Sequence, residues 1–144
     1  MVDRRRGFTL LELLVLLGLL GVVALASTPH VAAMWSALEL RAASLRVASE
    51  LTRARYGALA EGRTWWVRVV DATTLEVGPE GESAMRARLP GQSRFVASTS
   101  GGDVRFHPSG RGENATFTLG ARGERRRVVV NQRGRIEVRP GDAS

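Results

Sequence analysis

The chain has 144 residues, 44% of them apolar and 24% charged, which bounds it to about one compact domain with an appendage and argues against wholesale disorder. Its 21 basic residues are all arginine and outnumber 14 acidic ones, for a net charge of +7. With no cysteine, disulfides, zinc–thiolate centres and cysteine nucleophiles are excluded, and two histidines leave little room for a His-rich metal site.

The first predicted element is an apolar helix. After Glu12 the next charge is Glu39, and Leu13–Ala26 contains only Leu, Val, Ala and Gly. Residues 8–26 make about 28 Å of helix at ~1.5 Å per residue, close to the ~30 Å hydrocarbon core of a bilayer. Arg4, Arg5 and Arg6 precede it, so the positive-inside rule predicts a cytoplasmic N-terminus with the remainder outside. A cleaved secretory signal ending at Ala24-Leu25-Ala26 and a plain signal anchor are competing readings. The anchor does not account for Glu12, since an ionisable group inside a membrane segment marks a functional site.

Pro29 lacks the amide hydrogen a helix needs and follows Ser27 and Thr28, so a bend is expected where the chain leaves the membrane, with His30 at the interface. From Val31 to about Ala60 the pattern becomes amphipathic. Leu38, Leu45, Ala48, Leu51, Ala54 and Ala58 recur at three- and four-residue steps as the expected core face. Glu39, Arg41, Arg46, Glu50 and Arg53 fall largely between them, and Glu50 and Arg53 are spaced for a modest attraction. Gly62 is a natural stop.

Beyond Gly62 the period turns strand-like. Thr64–Val70 and Thr74–Val77 flank Asp71-Ala72-Thr73 as a hairpin, and Gly78–Gly81 reads as a turn cluster. Further strands are expected at Met85–Leu89, Phe95–Ala97, Val104–His107, Ala115–Leu119, Arg126–Asn131 and Arg135–Arg139, with Ser98–Gly102 a flexible loop and Pro140–Ser144 frayed. Eight short strands separated by glycine favour an antiparallel sheet or small sandwich packed on the helix, an α+β class. Alternation sends one of Trp65 and Trp66 to the core or an interface and leaves the other near the surface. Catalytic arrangements fail: His107 and Ser109 flank Pro108 without a third member, although Asp103 could orient His107, and nothing supplies an oxyanion site. Neither a phosphate-cradling glycine loop nor a metal-ligand cluster is present, so no enzyme, metal or cofactor is expected.

Arg-Arg-Arg-Gly-Phe-Thr-Leu-Leu-Glu at 4–12 closely resembles the processing site of type IV pilins and pseudopilins. The resemblance implies a leader, residues 1–7, cut by an inner-membrane prepilin peptidase between Gly7 and Phe8, followed by N-methylation of Phe8. It makes Glu12 the fifth residue of the mature chain, where its carboxylate can pair with the Phe8 amine of a neighbouring subunit. Such a pair helps only when its geometry is good, which makes it a register device between packed helices. Pilins often carry a proline at the place of Pro29.

Val-Arg-Phe-His-Pro-Ser-Gly-Arg-Gly at 104–112, Ala-Thr-Phe-Thr-Leu-Gly at 115–120, Arg-Arg-Arg-Val-Val-Val-Asn at 125–131 and Gly-Arg-Ile at 134–136 occur in an order similar to the GspH/FimT-type minor pseudopilins. This resemblance implies the pilin-like fold: a long N-terminal helix, transmembrane in its first half (8–30) and amphipathic in its second (31–62), packed against a β-rich head at 63–144. It implies a minor pseudopilin or minor pilin in a type II secretion pseudopilus or type IV pilus, at the tip or in the initiating complex. The protein would be single-pass in the bacterial inner membrane, with its head periplasmic. Its partners would be other pilin-like subunits, the prepilin peptidase and the membrane.

Some members of the family bind DNA for uptake, through a Gly-Arg-x-Arg motif. Here Gly134-Arg135-Ile136-Glu137 places Glu at the second Arg, although Arg139 lies two residues on. Residues 103–139 carry nine Arg against four acids, as large a surplus as the whole chain after loss of the leader. Arg125, Arg126, Arg127, Arg133 and Arg135 are therefore candidate DNA contacts, since the planar guanidinium matches phosphate. The alternative is a solvated arginine surface balanced by Glu113, Glu124 and Glu137.

Overall fold

The computed structural model describes residues 9–98 and 103–141, and the side chains of 25–33 lie outside the description. The expectations for Gly7 and Phe8, for the side chains of Pro29 and His30, and for most of the Ser98–Gly102 loop fall on residues outside it. Helix α1 runs from Leu10 to Glu61. It continues through position 29, so that proline does not end it. Contacts divide the chain into two units, one up to Trp35 and one from Ser36 onward.

In the first unit, every described side chain from Thr9 to Ala24 is exposed. A helix that is apolar all round has no face to give to its own chain. Among the described residues no helix is long and apolar enough to cross a membrane.

In the second unit, α1 is followed by eight strands: β1 (Trp65–Val69), β2 (Thr74–Pro79), β3 (Met85–Arg88), β4 (Arg94–Ser98), β5 (Asp103–Phe106), β6 (Ala115–Ala121), β7 (Glu124–Val130) and β8 (Ile136–Pro140). They form two four-stranded sheets, ordered β3-β2-β1-β5 and β4-β6-β7-β8, with every pairing antiparallel. The expected turn at Gly78–Gly81 begins later, because β2 extends through Gly78 and Pro79, which pair with Trp66 and Trp65. The β6–β7 hairpin closes through Arg122 and Gly123, both at positive φ (46° and 89°), the two-residue turn that suits the twist of a hairpin.

One buried cluster unites the unit. It takes Val67, Leu75, Val77 and Phe106 from the first sheet and Phe117, Leu119 and Val128 from the second, with Leu40, Val47 and Leu51 from α1. The buried stripe of α1 is Leu40, Ala43, Val47, Leu51, Ala54 and Ala58. This corrects the expected stripe: Leu38 and Leu45 are 48% and 55% exposed, and Ala48 is only partly buried. The helix carries two apolar faces, and step spacing alone does not say which one the head covers. Small residues on the buried face let the head approach. A Cβ on Gly57 would lie 2.5 Å from the Trp65 ring, and Trp65 itself is 7% exposed with its indole N–H donating to Glu61 Oε2 at 3.2 Å.

Glu50 is buried, which its spacing did not foretell. Arg46 reaches it at 2.9 Å and Arg53 at 3.4 Å, so two half-exposed guanidinium groups hold one buried carboxylate from the same helix.

Candidate functional site

The start of α1 is built as a helix cap. Thr9 precedes the helix, and the Glu12 backbone N–H donates to the Thr9 carbonyl oxygen at 3.1 Å and to its Oγ1 at 3.3 Å. Thr-x-x-Glu is the spacing of a capping box, a signal the sequence carried at 9–12 and that the membrane pattern hides. The cap satisfies an orphan N–H and fixes where the first turn begins. Glu12 stands in that turn, exposed, at the positive end of the helix dipole. A carboxylate there is helix-stabilising while its oxygens remain accessible to a cation from another chain. Gly7 and Phe8 lie just outside the described residues.

The five candidate arginines are spread rather than gathered. Along β7, Val128 and Val130 are buried, and Arg126 shares their side of the strand, whereas Arg125 and Arg127 alternate to the outer side. Arg127 is directly opposite Arg139 of β8, and Arg126 is opposite Pro140. Arg133 sits in the β7–β8 turn, about 20 Å from Arg125 at ~3.4 Å per strand residue. That turn is fastened by Asn131, whose Oδ1 accepts the N–H groups of Arg133 and Arg135 at 3.0 Å each. Arg133 lines a concavity of about 340 Å³ with Asn114, Asn131 and Gln132.

Glu137 decides the character of β8. Its carboxylate takes Arg139 Nη2 at 2.6 Å and Arg135 Nε at 2.9 Å. The Arg139 hydrogen bond, with the charges of Arg139 and Arg135 behind it, holds the Glu137 carboxyl below its ordinary range. Arg135 therefore already has a carboxylate partner, and Glu137 places a negative charge inside the basic face.

Gly134 has a structural role of its own. It lies at φ 72°, and a Cβ there would press on the Gly110 carbonyl oxygen and stand 2.8 Å from Arg55 Nε. Arg55 in turn donates to that carbonyl at 3.3 Å. The Phe106–Gly110 loop and the Gly134 turn thus meet on α1 through one arginine.

His107 and Ser109 line an open concavity of about 600 Å³ with Arg111, Glu113, Asn114 and Gln132. Asp103 does not orient His107, because Arg68 binds it in a fork at 2.7 and 2.8 Å. That fork holds the Asp103 carboxyl below the usual range. Trp66 is half-buried, with the Arg68 guanidinium 4.9 Å from its ring centroid. Among the described residues no group of three His, Asp or Glu is placed to hold a metal ion.

With this geometry in hand, comparison with known proteins is informative. The family model described as "Type II transport protein GspH" matches residues 43–134, and the prokaryotic N-terminal methylation motif matches residues 3–28. No curated protein sequence matches the chain. Among solved structures, the type IV minor pilin FimU of Pseudomonas aeruginosa is similar at a TM-score of 0.61 and 20% identity, covering 71% of this chain and 89% of that one. The minor pseudopilin EpsH from the type 2 secretion system of Vibrio cholerae is similar at a TM-score of 0.57 and 16% identity, covering 71% of this chain and 97% of that one. At these identities the two structures speak for the fold, and the family model speaks for the family.

Proposed function

The chain belongs to the GspH family and is a minor pseudopilin or minor pilin, and we propose that it enters the tip or initiating complex of its filament through a processed, membrane-inserted N-terminus. Subunits of this kind assemble with other pilin subunits in a pseudopilus or pilus. The family is a structural, pilin-like one.

The observation that carries the proposal is the capped first turn at Thr9–Glu12, leading into helix whose described side chains are all exposed as far as residue 24. In the proposed sequence of events, the leader holds the chain with its arginines in the cytoplasm and its head in the periplasm. The prepilin peptidase cuts between Gly7 and Phe8, and Phe8 is methylated on its new amine. That amine adds a positive charge to an already positive helix end, and the carboxylate of Glu12 in a neighbour neutralises it. Misregistered subunits leave both charges unpaired in a low-dielectric setting, so the pair selects one register. Glu12→Ala removes the carboxylate without hindering insertion, because fewer charges favour the membrane. Co-purification with the partner subunits should fall to background while the membrane fraction stays full. Wild-type recovery of partners would remove the pairing role.

The DNA-capture alternative rests on Arg125 and Arg127 alternating to the outer side of β7, beside Arg139. If that face holds a DNA backbone, affinity falls with salt by about one log unit per log unit for each phosphate neutralised, and replacing both arginines flattens the slope for any sequence. Binding weaker than ~100 µM at physiological salt would leave only generic contact.

A further inference from the structure

Two concavities, of about 600 and 340 Å³, lie where the loop from β5 to β6 and the turn from β7 to β8 meet, and they share Asn114 and Gln132. The backbone around them is pinned. The His107 N–H donates to the Arg111 carbonyl oxygen at 2.9 Å and the Gly110 N–H to the His107 carbonyl oxygen at 2.8 Å, which closes the Pro108 loop on itself. The Gly112 N–H crosses to the Gln132 carbonyl oxygen at 3.2 Å and ties that loop to the neighbouring turn. The side chains are in the opposite condition. His107, Ser109, Arg111, Asn114, Gln132 and Arg133 are exposed, and among the described residues none of these six side chains enters a hydrogen bond or ion pair. Elsewhere in the head, Arg68, Arg86 and Arg139 are each spent on a carboxylate. A fixed backbone that carries uncommitted polar groups can take a ligand at little ordering cost.

We propose that this pair of concavities is a binding site for an acidic saccharide, a hydroxyl-rich ligand that carries a carboxylate. The chemistry of the lining selects that class. Apart from the imidazole of His107, no ring and no aliphatic side chain lines either concavity. That removes the stacking platform a nucleobase uses and the apolar wall a hydrophobic ligand needs. The amides of Asn114 and Gln132 each set donors beside an acceptor, and the Ser109 hydroxyl combines both functions. Sugar hydroxyls also donate and accept, so neighbouring hydroxyls on one ring match such amides. Arg111 lines the larger concavity and Arg133 the smaller one, and a guanidinium presents the paired N–H donors that fit a carboxylate. Glu113 limits the negative charge the site tolerates. It lines the larger concavity, and its Oε2 accepts the Arg105 backbone N–H at 3.2 Å. A sugar hydroxyl can donate to that carboxylate, whereas a phosphate or a run of carboxylates would meet a like charge. Two arginines against one glutamate leave a single positive charge, which one ligand carboxylate balances.

The test titrates the full-length protein, in a sugar-free detergent, by isothermal titration calorimetry with three probes. Trigalacturonate offers hydroxyls and carboxylates, maltotriose hydroxyls alone, and triglutamate carboxylates on a peptide. Trigalacturonate should bind saturably with a Kd below about 1 mM, and the other two at least about tenfold more weakly. Joint replacement Asn114→Ala and Gln132→Ala should weaken trigalacturonate about tenfold or more, and Arg111→Gln about tenfold. Arg94→Gln, an exposed arginine on β4 outside both concavities, should leave its affinity unchanged. Since every replaced side chain is exposed, each variant should melt within about 2 °C of wild type. The comparison of probes on the wild-type chain needs no variant. Absence of saturable trigalacturonate binding up to about 10 mM, ten times the expected limit, would overturn the site. Triglutamate bound as tightly as trigalacturonate would overturn the saccharide in favour of an acidic peptide. Affinity indifferent to the changes at residues 111, 114 and 132, or lost with Arg94→Gln, would place the binding elsewhere and overturn the site as well. Each of these failures leaves the family and the processing of the N-terminus untouched.

Discussion

Between Leu10 and residue 24 every side chain of α1 is exposed, with leucines on all sides, whereas between Leu40 and Ala58 eight positions of the same helix are almost completely buried, six of them apolar. The two segments differ in vocabulary as well as in arrangement: one charge, Glu12, falls in the first, whereas Arg41, Arg46, Glu50, Arg53 and Arg55 fall in the second. The later one places Ala43, Ala54, Gly57 and Ala58 where the sheets come close, so that Trp65 can lie on the helix. The earlier one carries large exposed side chains in all directions. A helix fitted to its own head is shaped by the neighbours it touches. A helix meant for lipid or for other subunits is shaped only by length and apolarity.

This contrast can be broken most severely from the head side. Phe117 is 1% exposed and meets Phe95 edge-on with ring centroids 6.3 Å apart. Phe117→Ala should cost about 3–5 kcal/mol of head stability by chemical denaturation of the full chain in detergent. Leu16→Ala should leave that unfolding within about 0.5 kcal/mol of wild type, because Leu16 is exposed and belongs to the other unit. An equal loss from both would erase the distinction.

The second test bears on how the head grips the helix. Gly134→Ala combines positive φ with a Cβ pressed on the Gly110 carbonyl and on Arg55, and should cost about 2 kcal/mol. Its companion Arg135→Ala should be near neutral in the same assay, separating the structural half of the Gly-Arg pair from the half proposed for ligands.

A smaller effect sharpens the electrostatic side. Arg68 depresses the Asp103 carboxyl, so the ion pair contributes stability that is fully present above the unfolded value of about 3.9 and is lost as pH falls through the lower folded value. A carboxyl-detected NMR titration should place the Asp103 midpoint below about 3.9, and Arg68→Gln should return it towards that value. An unshifted midpoint in the wild-type protein would contradict the fork seen between the two side chains.

Much of this architecture is legible in the chain. The eight strands lie within a few residues of their expected places because glycine and alternation punctuate them locally. Their division into two sheets is not legible, since β5 pairs with β1 and β4 with β6 across long stretches of sequence. Glu12 stands out in the sequence because the residues that follow it carry no charge as far as Glu39. The Thr9 cap was overlooked beside it. Of the expected core face of α1, Leu51, Ala54 and Ala58 are buried, whereas Leu38 and Leu45 are exposed, because they are as apolar as Leu40 and Val47 and only packing separates the two faces. The arginine run at 125–127 reads as one patch in sequence, and the two-residue period of β7 divides it between opposite sides.

The central claim is that this chain is processed and assembled as a pilin-like subunit, and its most direct test is the mass of the mature N-terminus. The protein purified from membranes that contain a prepilin peptidase should begin at N-methyl-Phe8, and Gly7→Val should abolish that species and leave the leader attached. An intact Met1 in the wild-type protein, or a terminus after Ala26, would contradict the account.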